Sequence, residues 1–164
     1  MKRIPLANGK GAALVSDEDY ELVKEYRWYL TTQGYAASSQ RTSEGTTHIM
    51  MHRLILGLEK GDDRWVDHKN HIPLDNRQCN LRICTEAQNS HNRRPDPNGA
   101  SAYKGISPTA NVTRPWRAQI HLGDTTYHIG VYATEKEAAL AFDREATKRF
   151  GEYAYLNFPD STAR

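Results

Sequence analysis

No part of this chain constrains its fold more than residues 65–92, WVDHKNHIPLDNRQCNLRICTEAQNSHN. Two aspartates, three histidines and five asparagines crowd around short apolar runs there. Such a composition closes a hydrophobic core poorly, but it supplies the donors a metal site needs. Val66 ends a short apolar strand, which places Asp67 and His68 at its edge with side chains on opposite faces. A polar loop follows over 69–80, broken by Pro73 and Asn76, and Leu81, Arg82, Ile83 and Cys84 then alternate as a second strand. Thr85 with Gln88 three residues on has the form of a capping box, predicting a short helix that carries Asn89 and Asn92 on one face. Strand, loop, strand and helix in that order can bring Asp67 and Asn89 to one hard divalent ion. Oxygen ligands of this kind suit Mg²⁺ and leave positions for water and phosphate.

At these positions the sequence resembles the HNH endonucleases, in particular the homing-endonuclease type. The pattern is Asp67-His68-Lys69-Asn70, then Leu74-Asp75-Asn76-Arg77-Gln78-Cys79-Asn80-Leu81-Arg82, then Gln88-Asn89. The resemblance implies a ββα-metal nuclease in which His68 is the general base, Asp67 and Asn89 hold the metal, and Asn80 braces the loop. Many members carry Gly where this chain has His71, a departure that bears on the turn. Neutral histidine accepts a proton near pH 7, and one Mg²⁺ on the scissile phosphate supplies a Lewis acid. Mn²⁺ is the alternative ion, and neither zinc nor an organic cofactor is expected. Taken singly, Asp67-His68 is a hydrogen-bonding pair at a strand end and Asn89 a solvated helix residue; only the joint spacing favours a site. His52 and His91 are weaker accessory candidates, because His91 falls on a different helix face from Asn89 and His52 equally suits a buried, satisfied histidine.

With 164 residues and a hydrophobic share of 38%, small modules are expected rather than one large core. Lys and Arg total 22 against 20 acids, and the net charge of +2 does not by itself establish a nucleic-acid partner. The two cysteines, Cys79 and Cys84, are expected as reduced structural thiols. No apolar run approaches the roughly 20 residues of a membrane span, and Met1-Lys2-Arg3-Ile4-Pro5 opens no signal-peptide core, so a soluble, cytoplasmic protein is expected.

Along the front of the chain, 4–7 and 12–15 flank Asn8-Gly9-Lys10-Gly11, a hairpin signal. Ser16 with Asp19 predicts a capped helix ending near Tyr26. Trp28, Tyr29 and Tyr35 could stack bases, but a small core short of aliphatics is the favoured reading. A second hairpin is expected over 35–40 and 47–51, turning near Ser43, Glu44 and Gly45. A short apolar helix over 51–56 leads into the motif.

Residues 93–101, RRPDPNGAS, have the composition of a linker. Arg93 and Arg94 are expected at the phosphate backbone, though they also complement a helix end. Beyond it, 103–106 is expected as a short strand, and 116–122 and 125–131 as a hairpin around Gly123-Asp124. Trp116, Ala118, Ile120 and Leu122 should face inward with Tyr127, Ile129 and Val131. Arg117, Gln119, His121, Thr126 and His128 should face outward. Thr134 and Glu137 form a capping box, and the helix behind it should bury Ala138, Ala141, Phe142 and Ala146 before Gly151 stops it.

Trp116-Arg117-Ala118-Gln119-Ile120, Ile129-Gly130, Glu137-Ala138-Ala139, Ala141-Phe142-Asp143 and Leu156-Asn157-Phe158-Pro159 resemble the AP2 DNA-binding domain. In that family the open sheet face enters the major groove. By position this implies Lys104, Ser107, Gln119, His121, Thr126 and His128 at the DNA, with Arg114 and Arg117 as additions. Plant members carry mostly Arg or Trp at the positions of Ser107, Thr126 and His128, so their base preference does not transfer. Any one-sided antiparallel sheet shows a polar outer face; DNA is favoured because only Asp124 adds negative charge between Tyr103 and Gly130.

The sequence therefore predicts an α+β chain: a supporting segment over 1–47, an HNH motif over 48–92, a linker over 93–102, an AP2-like three-stranded sheet on one helix over 103–159, and a tail over 160–164. Its expected partner is double-stranded DNA, with a monomer the simplest state and a dimer the alternative. The alternative function is a sequence-specific DNA-binding regulator with an inactive HNH fold.

Overall fold

The computed structural model describes residues 1–43 and 45–159. Glu44, expected in the second hairpin turn, and the tail over 160–164 lie outside the described residues. Packing divides the chain into two units, 1–85 and 86–164, both mixed α and β with small antiparallel sheets.

In the first unit β1 (Lys2–Pro5) pairs with β2 (Ala12–Val15) around the expected turn, where Gly9 takes φ 68. Next come α1 (Tyr20–Val23), β3 (Tyr29–Leu30), β4 (Ala36–Thr42), β5 (Gly45–Met50) and α2 (Met51–Ile55). Strands β3, β4 and β5 form one sheet in that order. The unit ends in β6 (Trp65–His68), a 3₁₀ turn at Gln78–Asn80 and β7 (Leu81–Cys84). Its core joins Ile4, Val15, Val23, Trp28, Met51 and Leu81 with their neighbours. Trp28 is buried as core, and its indole N–H donates to the Val23 carbonyl at 2.8 Å.

The helix expected from Ser16 to near Tyr26 is a single turn. Its two capping candidates are occupied elsewhere: Ser16 Oγ accepts the Gln78 backbone N–H at 3.1 Å, and Asp19 Oδ1 accepts the Gln78 side-chain amide at 2.6 Å. The cysteine reading also needs correction. Cys84 is buried, with burial pushing its thiol up to about 11, whereas Cys79 is exposed and packs no core.

The second unit opens with α3 (Glu86–His91), the helix that the 85–88 pattern predicted. Its sheet, β8 (Ile106–Pro108), β9 (Trp116–Leu122) and β10 (Thr125–Tyr132), has β9 in the centre. Behind it lies α4 (Glu135–Phe150), opened by the expected reciprocal bonds between Thr134 and Glu137, both 3.2 Å. Ala138, Phe142 and Ala146 are buried as expected against Ile106, Ala118 and Ile120, and Ala141 is buried as well. Small side chains on α4 allow this close approach to the sheet.

Two sheet expectations change. The first strand begins at Ile106 rather than Tyr103, because Gly105 turns the chain with φ 75. A bulge between His128 and Gly130 puts Gly130 opposite Ala118 and Val131 opposite Arg117. Val131 therefore shares the outward face of Arg117 instead of the core, since one extra residue reverses the alternation. Tyr127 keeps its inward register opposite Ile120 but stays 41% exposed, with the Arg149 guanidinium 3.9 Å above its ring.

Gly105 also defines a stability prediction. A Cβ there would enter the Phe142 ring and lie 2.6 Å from the Gln119 carbonyl oxygen, while Gly105 O accepts the Gln119 N–H at 2.9 Å and fixes the backbone. Left-handed strain costs about 1–2 kcal/mol and overpacking about 1–3 kcal/mol. Gly105→Ala should therefore destabilise the second unit by roughly 3 kcal/mol. A loss below about 1 kcal/mol in urea titration would show that the ring and backbone yield freely. Among the described residues no helix is long and apolar enough to cross a membrane.

Candidate active site

Pairing of β6 with β7 sets Asp67 opposite Arg82 and His68 opposite Leu81. Asp67 Oδ2 accepts from Arg82 Nε at 2.8 Å and Nη2 at 2.5 Å, and the two side chains are only 6% and 9% exposed. This ion pair fixes the rotamer of Asp67. His68 is also buried, its ring 5.8 Å from Tyr35 and 5.3 Å from His52. Burial lowers its pKa below the ordinary imidazole value, opposed by the Asn76 contact and the nearby Asp67 and Asp75. The ring is therefore neutral at pH 7, the form that accepts a proton. Asn76 Oδ1 stands 3.5 Å from His68 Nε2, at the outer limit of a hydrogen bond.

His52 is buried with no hydrogen-bond partner for Nδ1 among the described residues, and burial pushes its pKa down to about 3. The neighbouring His68 and Arg53 lower it further. Tyr35 lies 5.2 Å from its ring.

The loop between the strands is tied by side chains rather than by a core. Asn80 Oδ1 accepts the Asn70 N–H at 3.0 Å, and Asn80 Nδ2 donates to the Asp75 carbonyl at 2.7 Å. Asp75 accepts two bonds from Arg77 at 2.7 and 2.6 Å and one from Asn70 at 2.7 Å. A parallel bridge joins Asp75 to Leu14 of β2. His71 adopts φ 59, the conformation glycine favours. His71 thus takes up the backbone conformation that a glycine would adopt without strain.

Arg77, ahead of Asn70, holds the Asp75 carboxyl below its usual range even though burial acts the other way. With the folded pKa depressed, this stabilisation is complete above about pH 4 and is lost as pH falls through the folded value. Urea midpoints of the first unit should therefore drop on acidification between about pH 5 and pH 2, and Asp75→Asn should flatten the drop. An equal slope in both proteins would remove Asp75 as its source.

In the second unit Asn89 lies on α3, which buries no residue. Arg93 and Arg94 are exposed beyond it. His91 does not extend as a ligand: its ring stacks on Phe150 at 3.7 Å and 14°. Burial, then the charge of Lys104, lowers its pKa. Lys104, which the resemblance implies at DNA, makes intramolecular bonds in the free chain. Its ammonium donates to the carbonyls of Ser90, His91 and Arg93 at 3.3, 2.6 and 2.7 Å, and burial pushes its pKa down to about 8.

Register groups the remaining candidates on one sheet face as Ser107 opposite Arg117, Gln119 opposite His128, and His121 opposite Thr126. Arg117 Nε donates to Ser107 Oγ at 3.4 Å, and Thr126 Oγ1 lies 3.0 Å from His121 Nδ1. Arg114 closes the loop before β9, where its backbone N–H donates to Asn111 Oδ1 at 2.9 Å.

Sequence reasoning quoted Arg82 and Asp143 within the two family patterns but gave neither a role. Arg82's signal was the hairpin register that sets it opposite Asp67. Asp143, fully buried on α4, accepts from the Asn157 and Phe158 backbones at 2.8 Å and from the Asn157 side chain at 3.0 Å. Its signals were its place in the Ala141-Phe142-Asp143 pattern and its charge in an otherwise apolar helix stripe.

A family model described as HNH endonuclease matches residues 49–91. The chain is 56% identical over 32 residues to dehydration-responsive element-binding protein 2E of Arabidopsis thaliana, a stretch covering 20% of this chain and 13% of that protein. An uncharacterized HNH endonuclease of Acanthamoeba polyphaga mimivirus is 32% identical over 153 residues, covering 93% of this chain and 78% of the relative. That match runs through both units, and by it the chain belongs to the HNH endonuclease family, nucleases that act on DNA.

Proposed function

We propose that the chain is a metal-dependent DNA endonuclease of the homing type, in which the second unit, an AP2-like reader, selects the site. The observation that carries the nuclease reading is the neutral, buried His68 beside an Asp67 oriented by Arg82 at the end of β6. His68 takes the proton of the attacking water as the water oxygen bonds to phosphorus and the P–O3′ bond breaks; the leaving 3′ oxygen takes its proton from solvent. Asn80 holds the loop beside it at both ends of its amide. Asp67 and Asn89 are the protein ligands that the family pattern implies. A carboxylate and an amide oxygen are hard donors of the kind Mg²⁺ accepts while keeping water and phosphate. When bound, that ion neutralises charge on the scissile phosphate.

The likeness over 32 residues to a plant protein named for binding a dehydration-responsive element supports the AP2-like reading. Ser107, Arg117, Gln119, His121, Thr126 and His128 would meet base edges in the major groove, while Arg93, Arg94 and Arg114 grip phosphates. Nicking of supercoiled plasmid with Mg²⁺, abolished by EDTA, is the expected result. A second reading, a DNA-binding regulator, is favoured by one observation: a guanidinium already occupies Asp67 Oδ2. Tight, EDTA-insensitive binding with no nicking on DNA from the source locus would decide for it.

A further inference from the structure

We propose that Lys104 is a positioning residue for the nuclease: its ammonium locks helix α3, and Asn89 on it, to the sheet of the same unit, so that the implied metal ligand Asn89 and the reader sheet move as one body. The inference rests on the nuclease reading above.

Helix α3 has six residues and buries none of them, too short and too exposed to hold its shape alone. Its C-terminal carbonyls need partners. Lys104 Nζ supplies three bonds, to Ser90, His91 and Arg93. An ammonium has three donors, and all are engaged on that one helix end, where a cation also opposes the helix dipole.

The lysine is itself anchored. Its backbone N–H donates to Asn157 Oδ1 at 2.8 Å, and Asn157 hangs on the buried Asp143 of α4. Gly105, next in the chain, is pressed under Phe142. Two further ties hold α3: His91 stacks on Phe150, and the His91 carbonyl accepts the Tyr155 N–H at 3.2 Å.

The segment over 93–101, linker-like in composition, is pinned at both ends. Arg93 lends its carbonyl to Lys104, and Ser101 Oγ donates to Glu135 Oε1 at 2.6 Å. Within it, Asp96 turns the chain by accepting from the Asn98 N–H at 2.9 Å. Helix α3 is thus carried by the sheet unit and does not swing on a tether.

The test compares full-length wild type with Lys104→Met, which keeps the aliphatic stem, and Lys104→Gln, which keeps two donors. Each protein selects binders from a random-sequence duplex library, which is then cut with Mg²⁺ and end-mapped against the selected consensus. Amide exchange over 88–92 is followed in the free protein. The Met variant should select the same consensus but spread its cuts over several neighbouring positions. Its exchange at the Asn92 amide should rise about tenfold, the effect of roughly one charge-assisted bond. The Gln variant should lie between, and it carries the test if the Met variant does not fold. Unchanged exchange would overturn the clamp. Raised exchange with a single cut position would overturn the positioning role, and weaker binding with an unmoved cut would return Lys104 to the DNA contacts that the AP2 resemblance implies. If wild type binds but never cuts, the nuclease reading fails, and exchange alone decides whether the clamp exists.

Discussion

Replacing His68 by alanine is expected to slow nicking of supercoiled DNA by about a hundred to ten thousand fold, the range of a positioned general base, while leaving DNA affinity within about twofold. The asymmetry follows from burial. His68 is 6% exposed, so it offers phosphates little surface, and its loss removes proton transfer rather than grip. The cavity left beside Tyr35 and His52 is a structural cost that must be separated from the chemical one. His68→Gln serves that purpose, because it fills much of the space without the imidazole's basicity. Both variants should bind and neither should cut. A Gln variant retaining more than about a tenth of wild-type rate would exclude His68 as the base.

Arg82→Met is expected to destabilise the first unit by roughly 3–5 kcal/mol, since it takes the guanidinium from a carboxylate that remains buried. Among the ion pairs described in this chain, Asp67–Arg82 is the most enclosed: both side chains are less than 10% exposed, whereas Arg77 is 35% exposed. Asp67→Asn with Arg82→Met should recover much of the loss, because no full charge then needs a partner. Under the proposed function, Mg²⁺ should raise the melting temperature of Arg82→Met more than that of wild type, since the cation takes over the neutralising role. A loss below about 1 kcal/mol in Arg82→Met would mean that water reaches Asp67 and the pair acts as a surface bridge.

Where local pattern and final contact coincide, the sequence was sufficient. Asn8-Gly9 and Gly123-Asp124 make their hairpins, Thr134 and Glu137 cap α4, and the alanines of α4 pack as their spacing requires. The 65–92 pattern likewise folds as strand, loop, strand and helix. Where tertiary partners compete, local pattern failed. Ser16 and Asp19 had a capping spacing, but Gln78, about 60 residues away, takes both side chains. The period-two reading of β10 held up to His128 and then reversed at a bulge no dipeptide announced. The AP2 resemblance implies Lys104 at the DNA and the motif leaves His91 a weak accessory candidate; their contacts depend on Ser90 and Phe150, which distant chain segments bring into reach.

The bridge from Leu14 to Asp75 makes the matched stretch over 49–91 unsuitable for transfer by itself. Leu14 N–H donates to Leu74 O at 2.7 Å and Asn76 N–H to Leu14 O at 2.8 Å, so the loop that carries Asp75 and Asn80 is completed by the first hairpin of the chain. A recombination breakpoint near residue 48 would deliver the diagnostic residues without the strand that shapes them. The folded unit that completes this loop therefore includes the N-terminal hairpin.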